Sequence, residues 1–426
     1  MEASTLALII VGIALILYIT DFFHVATTSL LACLALAIFG VIPFSAAFAG
    51  FSNDMVFLMG GMLVVGNALF ETGVAPVLGR KIIKYVGSNE KLFVVVLILI
   101  ATVPAAFLSN TAAMAMMLPI ASAAVAASGG RFLKKNTFMI IGISAVTSGG
   151  LTVVGSTPQL IAQNALSSGG HETMAFFELS LAGGPVIILL LAYYLLIGNY
   201  LQKKVFTFDE VPDTEPIEPE TSQQPPDAKS VFRMYVSVGV LFFCIAGFMS
   251  GLWTVGTVAM TGAIICVVTG CITQKKAYQK MDWTTLIVIA CSLGLSAGLD
   301  QSGAGMLIAQ SMINLLGDGV TPWLLCATLA LVAVVLGNFM SSTATAALLV
   351  PIAISMALTL GYDVKSAVMA VVIAANISYA TPVSTPPMTM TLVAGYRFMD
   401  YVKVGGLFTI LAYVLIIALF PFILNI

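Results

Sequence analysis

The chain has 426 residues, of which 60% are hydrophobic and only 8% are charged, and its mean hydropathy is +1.07. This composition excludes a water-soluble globular protein and predicts an all-α polytopic membrane protein. The formal net charge of −2 indicates no particular partner besides membrane lipid, and no nucleic-acid partner is expected.

Long charge-free runs mark the predicted membrane segments in chain order. In the first half they lie at 4–20, 24–42 and 54–72, then, after an amphipathic basic segment ending at Lys91, at 92–127, 137–165 and 176–201. Residues 202–230 are acidic and rich in proline, which predicts a solvated linker. In the second half the runs return at 231–249, 252–271, 282–300, within 322–360, at 366–394 and at 404–424. The six cysteines lie in or beside these runs and predict free, buried thiols.

The run 92–127 is too long for one membrane helix. As a single helix it would extend about 54 Å at 1.5 Å per residue, against a bilayer core of about 30 Å. Its centre holds the polar triplet Ser109-Asn110-Thr111, and the triplet Ser341-Ser342-Thr343 occupies the same place in the run within 322–360. We therefore predict two re-entrant helical hairpins, each turning at its triplet. Two full spans joined by an outside loop remain the alternative.

Each half then reads as three spans, a hairpin and two further spans, so it crosses the membrane five times. Because five is odd, the halves form an inverted repeat. This scheme places sixteen of the 17 lysine and arginine residues on one face and only Lys365 on the other. The positive-inside rule then predicts a cytoplasmic linker at 202–230 and both termini outside. Two full spans in place of each hairpin would give the same distribution.

Two later spans contain helix breaks. Gly155-Ser156-Thr157-Pro158 interrupts 137–165, and Ser384-Thr385-Pro386 interrupts 366–394. A hydroxyl residue before proline is typical of a helix that stops and restarts, with the hydroxyl as the cap. New half-helices would then begin after Asn110, Thr157, Ser342 and Thr385 with exposed amides and positive dipole ends. Together these ends predict an anion site, and the absence of lysine and arginine from these segments favours ready release.

Carrying a dianion into a negative-inside cell costs about 2.3 kcal/mol per charge per 100 mV. Accompanying cations or the exit of another anion must offset this cost. The carboxylates and histidines of the spans lie near span ends, so hydroxyl and backbone oxygens around the triplets, which suit Na⁺, are the expected cation ligands.

With these motifs the sequence resembles the divalent anion/sodium symporters (DASS) of the ion transporter superfamily. That family has a Ser-Asn-Thr motif at each of two hairpins, each paired with a Thr-Pro-Pro-Asn-like helix break. Ser109-Asn110-Thr111 matches fully, Ser342 replaces Asn in the second motif, and Gln159 and Met388 stand at the final position of the breaks. The resemblance covers roughly residues 50 to 410.

The resemblance implies a homodimer that works by an elevator motion on di- or tricarboxylates such as succinate, malate or citrate, or on sulfate. It implies scaffold parts at 1–90 and 231–320 and transport parts at 91–201 and 321–426. Sodium is expected around Ser109, Asn110 and Gly155, and around Ser341, Ser342 and Ser384. Ala105 and Gly337 stand where sodium-coupled members carry a hydroxyl, so sodium-independent dicarboxylate exchange is the alternative.

The sequence thus predicts a multi-pass transporter of the inner cell membrane, not an enzyme, with no enzymatic cofactor and Na⁺ as the coupling ion. Asn110, Thr111, Ser342 and Thr343 are expected to donate hydrogen bonds to the substrate. The expected substrate-binding set is Ser109, Asn110, Thr111, Ser156, Thr157, Pro158, Ser341, Ser342, Thr343, Ser384, Thr385 and Pro386.

Overall fold

The computed structural model describes residues 2–20, 22–73, 86, 89–128, 132–208, 228–250, 252–316, 320–382 and 384–424. In these ranges all the regular secondary structure is helical, and no strand occurs there. Within them, seven helices are long and apolar enough to cross a membrane, and shorter apolar helices accompany them. The predicted all-helical membrane fold is confirmed. The basic segment before Lys91 and most of the linker 202–230 lie outside the described residues.

The helices of the first half follow the predicted spans closely. They are α1 (Ala3–Thr20), α2 (Val25–Ile38), α3 (Asp54–Glu71), α4 (Glu90–Phe107), α5 (Asn110–Ala127), α6 (Lys134–Gly149), α7 (Thr157–Ser168) and α8 (Ser180–Val205). A short helix at Phe44–Ala47 and a 3-10 turn at Ala49–Ser52 connect α2 to α3.

The second half repeats this order with one additional described helix. Its helices are α9 (Ala228–Ser250), α10 (Val255–Val268), α11 (Trp283–Gln301), α12 (Ala304–Leu316), α13 (Pro322–Phe339), α14 (Ser342–Leu360), α15 (Val364–Ala375), α16 (Pro386–Met390) and α17 (Phe398–Ile423). Helix α12 is not predicted from the sequence, because its 13 residues are too few for a span and include several polar side chains.

The first three helices of one half pack against those of the other. Helix α3 lies along α10, and α2 lies along α11. The contact of α3 with α10 is very close, because a Cβ added to Gly61 would lie 2.5 Å from the carbonyl carbon of Ala259. Such close approach through small residues is a common way for membrane helices to associate.

Helix α11 also contacts α7 and α14, so it connects this group of helices to the hairpins and broken helices. At the contact with α7, Asn164 Nδ2 donates to the backbone oxygen of Ile289 at 3.3 Å. Ser292 Oγ donates to the same oxygen at 2.7 Å. Asn164 is fully buried and its Oδ1 has no hydrogen-bond partner. The interface between the two groups of helices therefore contains a buried amide that is only partly paired.

Candidate functional site

Both predicted hairpin turns are present at the polar triplets. Helix α4 ends at Phe107 and α5 begins at Asn110, while α13 ends at Phe339 and α14 begins at Ser342. In the first turn Ser109 Oγ accepts a hydrogen bond from the amide of Ala112 at 3.2 Å. In the second turn Ser341 Oγ accepts one from the amide of Ala344 at 3.1 Å. We call the first helix of each hairpin (α4 or α13) the outer helix and the second (α5 or α14) the inner helix. The first serine of each triplet thus caps the inner helix.

The Asn110 side chain joins the first hairpin to the first broken helix. In the amide orientation that satisfies its neighbours, the nitrogen donates to the backbone oxygens of Gly155 at 2.9 Å and Ala145 at 3.0 Å. Both amide hydrogens therefore bond to the protein itself, which differs from the predicted donation to a substrate. The Asn110 carbonyl oxygen remains as an acceptor.

The second hairpin is joined to its broken helix differently, as Ser342 replaces asparagine. The backbone amide of Ser342 donates to the backbone oxygen of Ser384 at 3.0 Å. The side-chain oxygen of Asn338, on the outer helix α13, accepts from the amide of Ala380 at 2.9 Å. Sequence reasoning missed Asn338, although an amide four residues before Ser342 in an apolar helix was a usable signal.

Both helix breaks lie where the sequence predicts them. Helix α6 ends at Gly149 and α7 begins at Thr157, while α15 ends at Ala375 and α16 begins at Pro386. The N-cap residues of α7 and α16 are Ser156 and Thr385, but neither hydroxyl caps its helix, so that expectation is wrong. Proline at the second helical position, Pro158 or Pro387, removes one of the two amides that an N-cap side chain can bind.

The hydroxyl groups at the breaks have other surroundings. Ser156 Oγ lies 2.9 Å from Asn376 Oδ1 and also contacts Gln159 Oε1. Ser384 Oγ donates to the backbone oxygen of Ser378 at 2.6 Å rather than capping a helix. Thr385 Oγ1 is buried and has no hydrogen-bond partner. A buried hydroxyl without a partner costs about 1–3 kcal/mol, which a ligand accepting or donating a hydrogen bond would recover.

The two halves interlock around the breaks. Helix α7 packs against α14 and α15, and α16 packs against α5. At the breaks themselves, Ser156 Oγ contacts Asn376 Oδ1 of the other half, and Thr147 Oγ1 donates to the Tyr379 hydroxyl at 3.0 Å. The sequence analysis did not identify Thr147, Asn376 or Tyr379. Each is a polar residue in an otherwise apolar helix, which was the available signal.

Most of the predicted substrate-binding residues are shielded from solvent. The buried members are Asn110, Ser156, Pro158, Ser342, Ser384 and Thr385; the partly buried ones are Ser109, Thr111, Thr157, Ser341 and Thr343; Pro386 is exposed. None of these side chains is ionisable at neutral pH, so amides, hydroxyls and helix ends would have to bind an anion. Over the described ranges no group of three histidine, cysteine, aspartate or glutamate side chains that could hold a metal ion occurs.

Comparison with known proteins places this architecture among membrane transporters. The citrate transporter family (CitMHS) matches residues 13–368, which is more than half of the chain. A transporter of Haemophilus influenzae is 29% identical over 418 residues, covering 94% of this chain and 88% of the relative. The sodium-dependent dicarboxylate transporter SdcS of Staphylococcus saprophyticus is 23% identical over 409 residues, covering 89% of this chain and 78% of that protein.

A solved structure supports the fold. The YdaH transporter of Alcanivorax borkumensis superimposes with a TM-score of 0.63 at 15% sequence identity, covering 92% of this chain and 88% of the other. At that identity the similarity concerns the fold alone. The family match and the dicarboxylate relative show that the chain is a transporter and not an enzyme, and they agree with the resemblance to the divalent anion/sodium symporters.

Proposed function

Because the chain belongs to the citrate transporter family, we propose that it is a secondary active transporter of small divalent anions, with di- and tricarboxylates such as succinate, malate and citrate as substrates. The main support is the buried, unpaired hydroxyl of Thr385 at a helix break that packs against the opposite hairpin. The helices that begin at the hairpin turns and breaks carry no lysine or arginine there. Their exposed amides and positive dipole ends can therefore bind a dianion reversibly. The dicarboxylate transporter among the relatives agrees with this substrate class.

We propose sodium as the coupling ion, since two relatives are named as sodium-dependent. One set of sodium ligands consists of the Asn110 side-chain carbonyl oxygen, the Ser109 hydroxyl and the Gly155 backbone oxygen. Ser341, Ser342 and the backbone oxygen of Ser384 supply the other. Each of these backbone oxygens accepts one hydrogen bond from the protein and keeps a second lone pair for a cation.

The proposed mechanism is an elevator motion of two transport parts, 91–201 and 321–426, against two scaffold parts, 1–90 and 231–320. The packing of α3 on α10 and of α2 on α11 supports a scaffold, and the interlocked hairpins and broken helices support a single moving body. We further propose that the halves are inverted, that the protein is a homodimer of the inner cell membrane, and that residues 202–230 face the cytoplasm with both termini outside.

The test is counterflow of labelled succinate in proteoliposomes, with and without an inward sodium gradient. We expect saturable uptake that depends on sodium, and its loss in Asn110→Ala, where the link to Ala145 and Gly155 is broken. Asn89→Ala is the matched control, because that asparagine only caps the start of α4 at 3.2 Å. Absence of saturation or counterflow for any dicarboxylate, citrate or sulfate in the wild type would contradict a carrier.

Sodium-independent dicarboxylate exchange is the second candidate. Ser342 lacks the amide that Asn110 supplies in the first hairpin, and Ala105 and Gly337 lack hydroxyls. Uptake that does not depend on sodium but requires dicarboxylate inside the liposomes would establish exchange. Uptake of sulfate in preference to succinate would instead identify an inorganic anion transporter.

A further inference from the structure

Three side-chain oxygens meet between the two broken helices. Ser156 Oγ contacts Gln159 Oε1 and lies 2.9 Å from Asn376 Oδ1. Both amide nitrogens are engaged elsewhere, since Gln159 Nε2 donates to Gly149 O at 3.1 Å and Asn376 Nδ2 to Val372 O at 2.7 Å. The three oxygens therefore share one hydroxyl proton, which can satisfy only one amide oxygen fully.

This oxygen cluster is enclosed and has space beside it. The exposed fractions of Ser156, Gln159 and Asn376 are 6%, 0% and 4%. A cavity of about 20 Å³ lies beside Gln159 and Asn376, with Thr147, Gly150 and Tyr379 also in its lining, whereas Ser156 lies next to it and is not part of the lining. Such a volume holds one water molecule or one small ion. The cluster thus combines an excess of acceptors with room for a single occupant.

Helix ends around the cluster favour a positive occupant. Helix α6 ends at Gly149, and α15 ends at Ala375 with Asn376 as its C-cap, so two partly negative carbonyl ends meet here. Helix α7 begins at the same place, but Pro158 lacks an amide hydrogen. In transporters, C-terminal ends of half-helices and unwound carbonyls are typical ligands of Na⁺.

We propose that Ser156 Oγ, Gln159 Oε1 and Asn376 Oδ1 bind a monovalent alkali cation, Na⁺. This site is separate from the two sodium sites proposed at the hairpin turns. It communicates with the first hairpin through Gly149, whose oxygen bonds to Gln159 and whose Cα lies against the Asn110 side chain. Cation binding does not require the proposed function, whereas any effect of this cation on transport rests on it.

The test is binding of radioactive ²²Na⁺ to the purified full-length protein in detergent, without dicarboxylate and with choline as the replacing cation. Ser156→Ala is expected to weaken one class of Na⁺ sites about ten-fold, the effect of losing about 1.4 kcal/mol of binding free energy. Ser156→Thr keeps the hydroxyl and should bind as the wild type does. Ser144→Ala is the control, because that fully buried serine only donates to Ile140 O at 2.6 Å.

A second variant keeps the proposal testable where Ser156→Ala fails to fold. Gln159→Glu loses the bond from Nε2 to Gly149 O but places a carboxylate of nearly the same shape in the cluster, so Na⁺ should bind more tightly and with a new dependence on pH. Unchanged Na⁺ binding in both variants would mean that water fills the cavity, and would overturn the proposal. Failure of the wild type to transport any anion would refute the proposed function but would leave the Na⁺ binding result standing.

Discussion

Asn110 and Asn338 have the same structural role at the two hairpins from different positions in the chain. Asn110 lies at the turn itself and donates to backbone oxygens of the first broken helix. Asn338 lies on the outer helix and accepts from the backbone amide of Ala380 in the second break. Replacement of asparagine by Ser342 therefore leaves the second hairpin anchored, but removes an amide from the second turn.

Thr385 allows a prediction that separates a ligand-binding role from a structural one. Its hydroxyl is buried without a partner, so Thr385→Val should keep or raise the free energy of unfolding, by up to about 1–3 kcal/mol. If that hydroxyl bonds to the substrate, the same variant should lose at least about ten-fold in apparent affinity for succinate. Thermal unfolding and concentration-dependent uptake measure the two effects.

Thr391→Val is the matched control for this experiment. The Thr391 hydroxyl is also buried, but it donates to the backbone oxygen of Met388 at 2.6 Å. Its removal should lower the free energy of unfolding by about 0.5–1.5 kcal/mol and leave the affinity for succinate unchanged. If Thr385→Val instead lowers the free energy of unfolding and keeps the normal affinity for succinate, Thr385 does not bind the substrate.

At the scale of elements, the first hairpin depends on a close approach to α6. A Cβ added to Gly149 would lie 2.3 Å from the nearest atom of the Asn110 side chain. Gly149→Ala should therefore displace Asn110 from Ala145 and Gly155 and abolish succinate uptake. In Gly184→Ala, by contrast, the new Cβ meets no atom within 4 Å, so uptake should be normal.

The double variant sharpens the same test. If the clash with Asn110 is the cause, Gly149→Ala should lower the free energy of unfolding of the wild type but not that of Asn110→Ala. An equal loss of stability in both backgrounds would mean that Gly149 acts through another contact, such as the bond from Gln159 to its oxygen.

The sequence allowed the hairpins and breaks to be predicted because length and polarity determine them. A run longer than the bilayer must turn, and a polar triplet or a hydroxyl residue before proline shows where. The side-chain partners could not be predicted in this way. Ser156 was expected to cap α7 but instead contacts Gln159 and Asn376. The contact with Asn376 could not be predicted locally, because Asn376 lies more than two hundred positions later in the chain. Such pairings follow from tertiary packing alone.

At the scale of the whole molecule, ion pairs connect the two halves of the chain at both proposed membrane faces. Lys365, the only basic residue expected on the outer face, bonds at 2.7 Å to both Glu172 and Glu178. On the face proposed to be cytoplasmic, Glu71 bonds to Lys276 at 2.5 Å and to Lys280 at 2.6 Å. Each pairing joins segments from different halves of the chain.

Cysteine labelling in intact cells tests the proposed orientation. All six native cysteines are buried, so background labelling by a membrane-impermeant maleimide should be low. The Glu2→Cys variant should react in intact cells, whereas Ser222→Cys, in the linker, should react only after the membrane is permeabilised. The reverse labelling pattern would show that the protein has the opposite orientation in the membrane.

A cross-link tests the proposed elevator motion. Asn164 on α7 and Ser292 on α11 donate to the same oxygen, that of Ile289, so cysteines at these positions lie within reach of one Hg²⁺ ion. Cross-linking Asn164→Cys with Ser292→Cys should stop uptake, and a thiol reductant should restore it. Each single variant is a control, including against the native Cys291. Full activity of the cross-linked protein would exclude sliding at this interface.

The interlocking of the halves has a consequence for how a cell makes this protein. Ser156 meets Asn376 only after 220 further positions have been added, which at about 5–20 residues per second takes the ribosome roughly 10–40 s. During that interval α7 lacks α14 and α15, and α5 lacks α16. The faces of α5 and α7 that these later helices cover are therefore exposed until synthesis is almost complete, and lipid or the insertion machinery must cover them meanwhile.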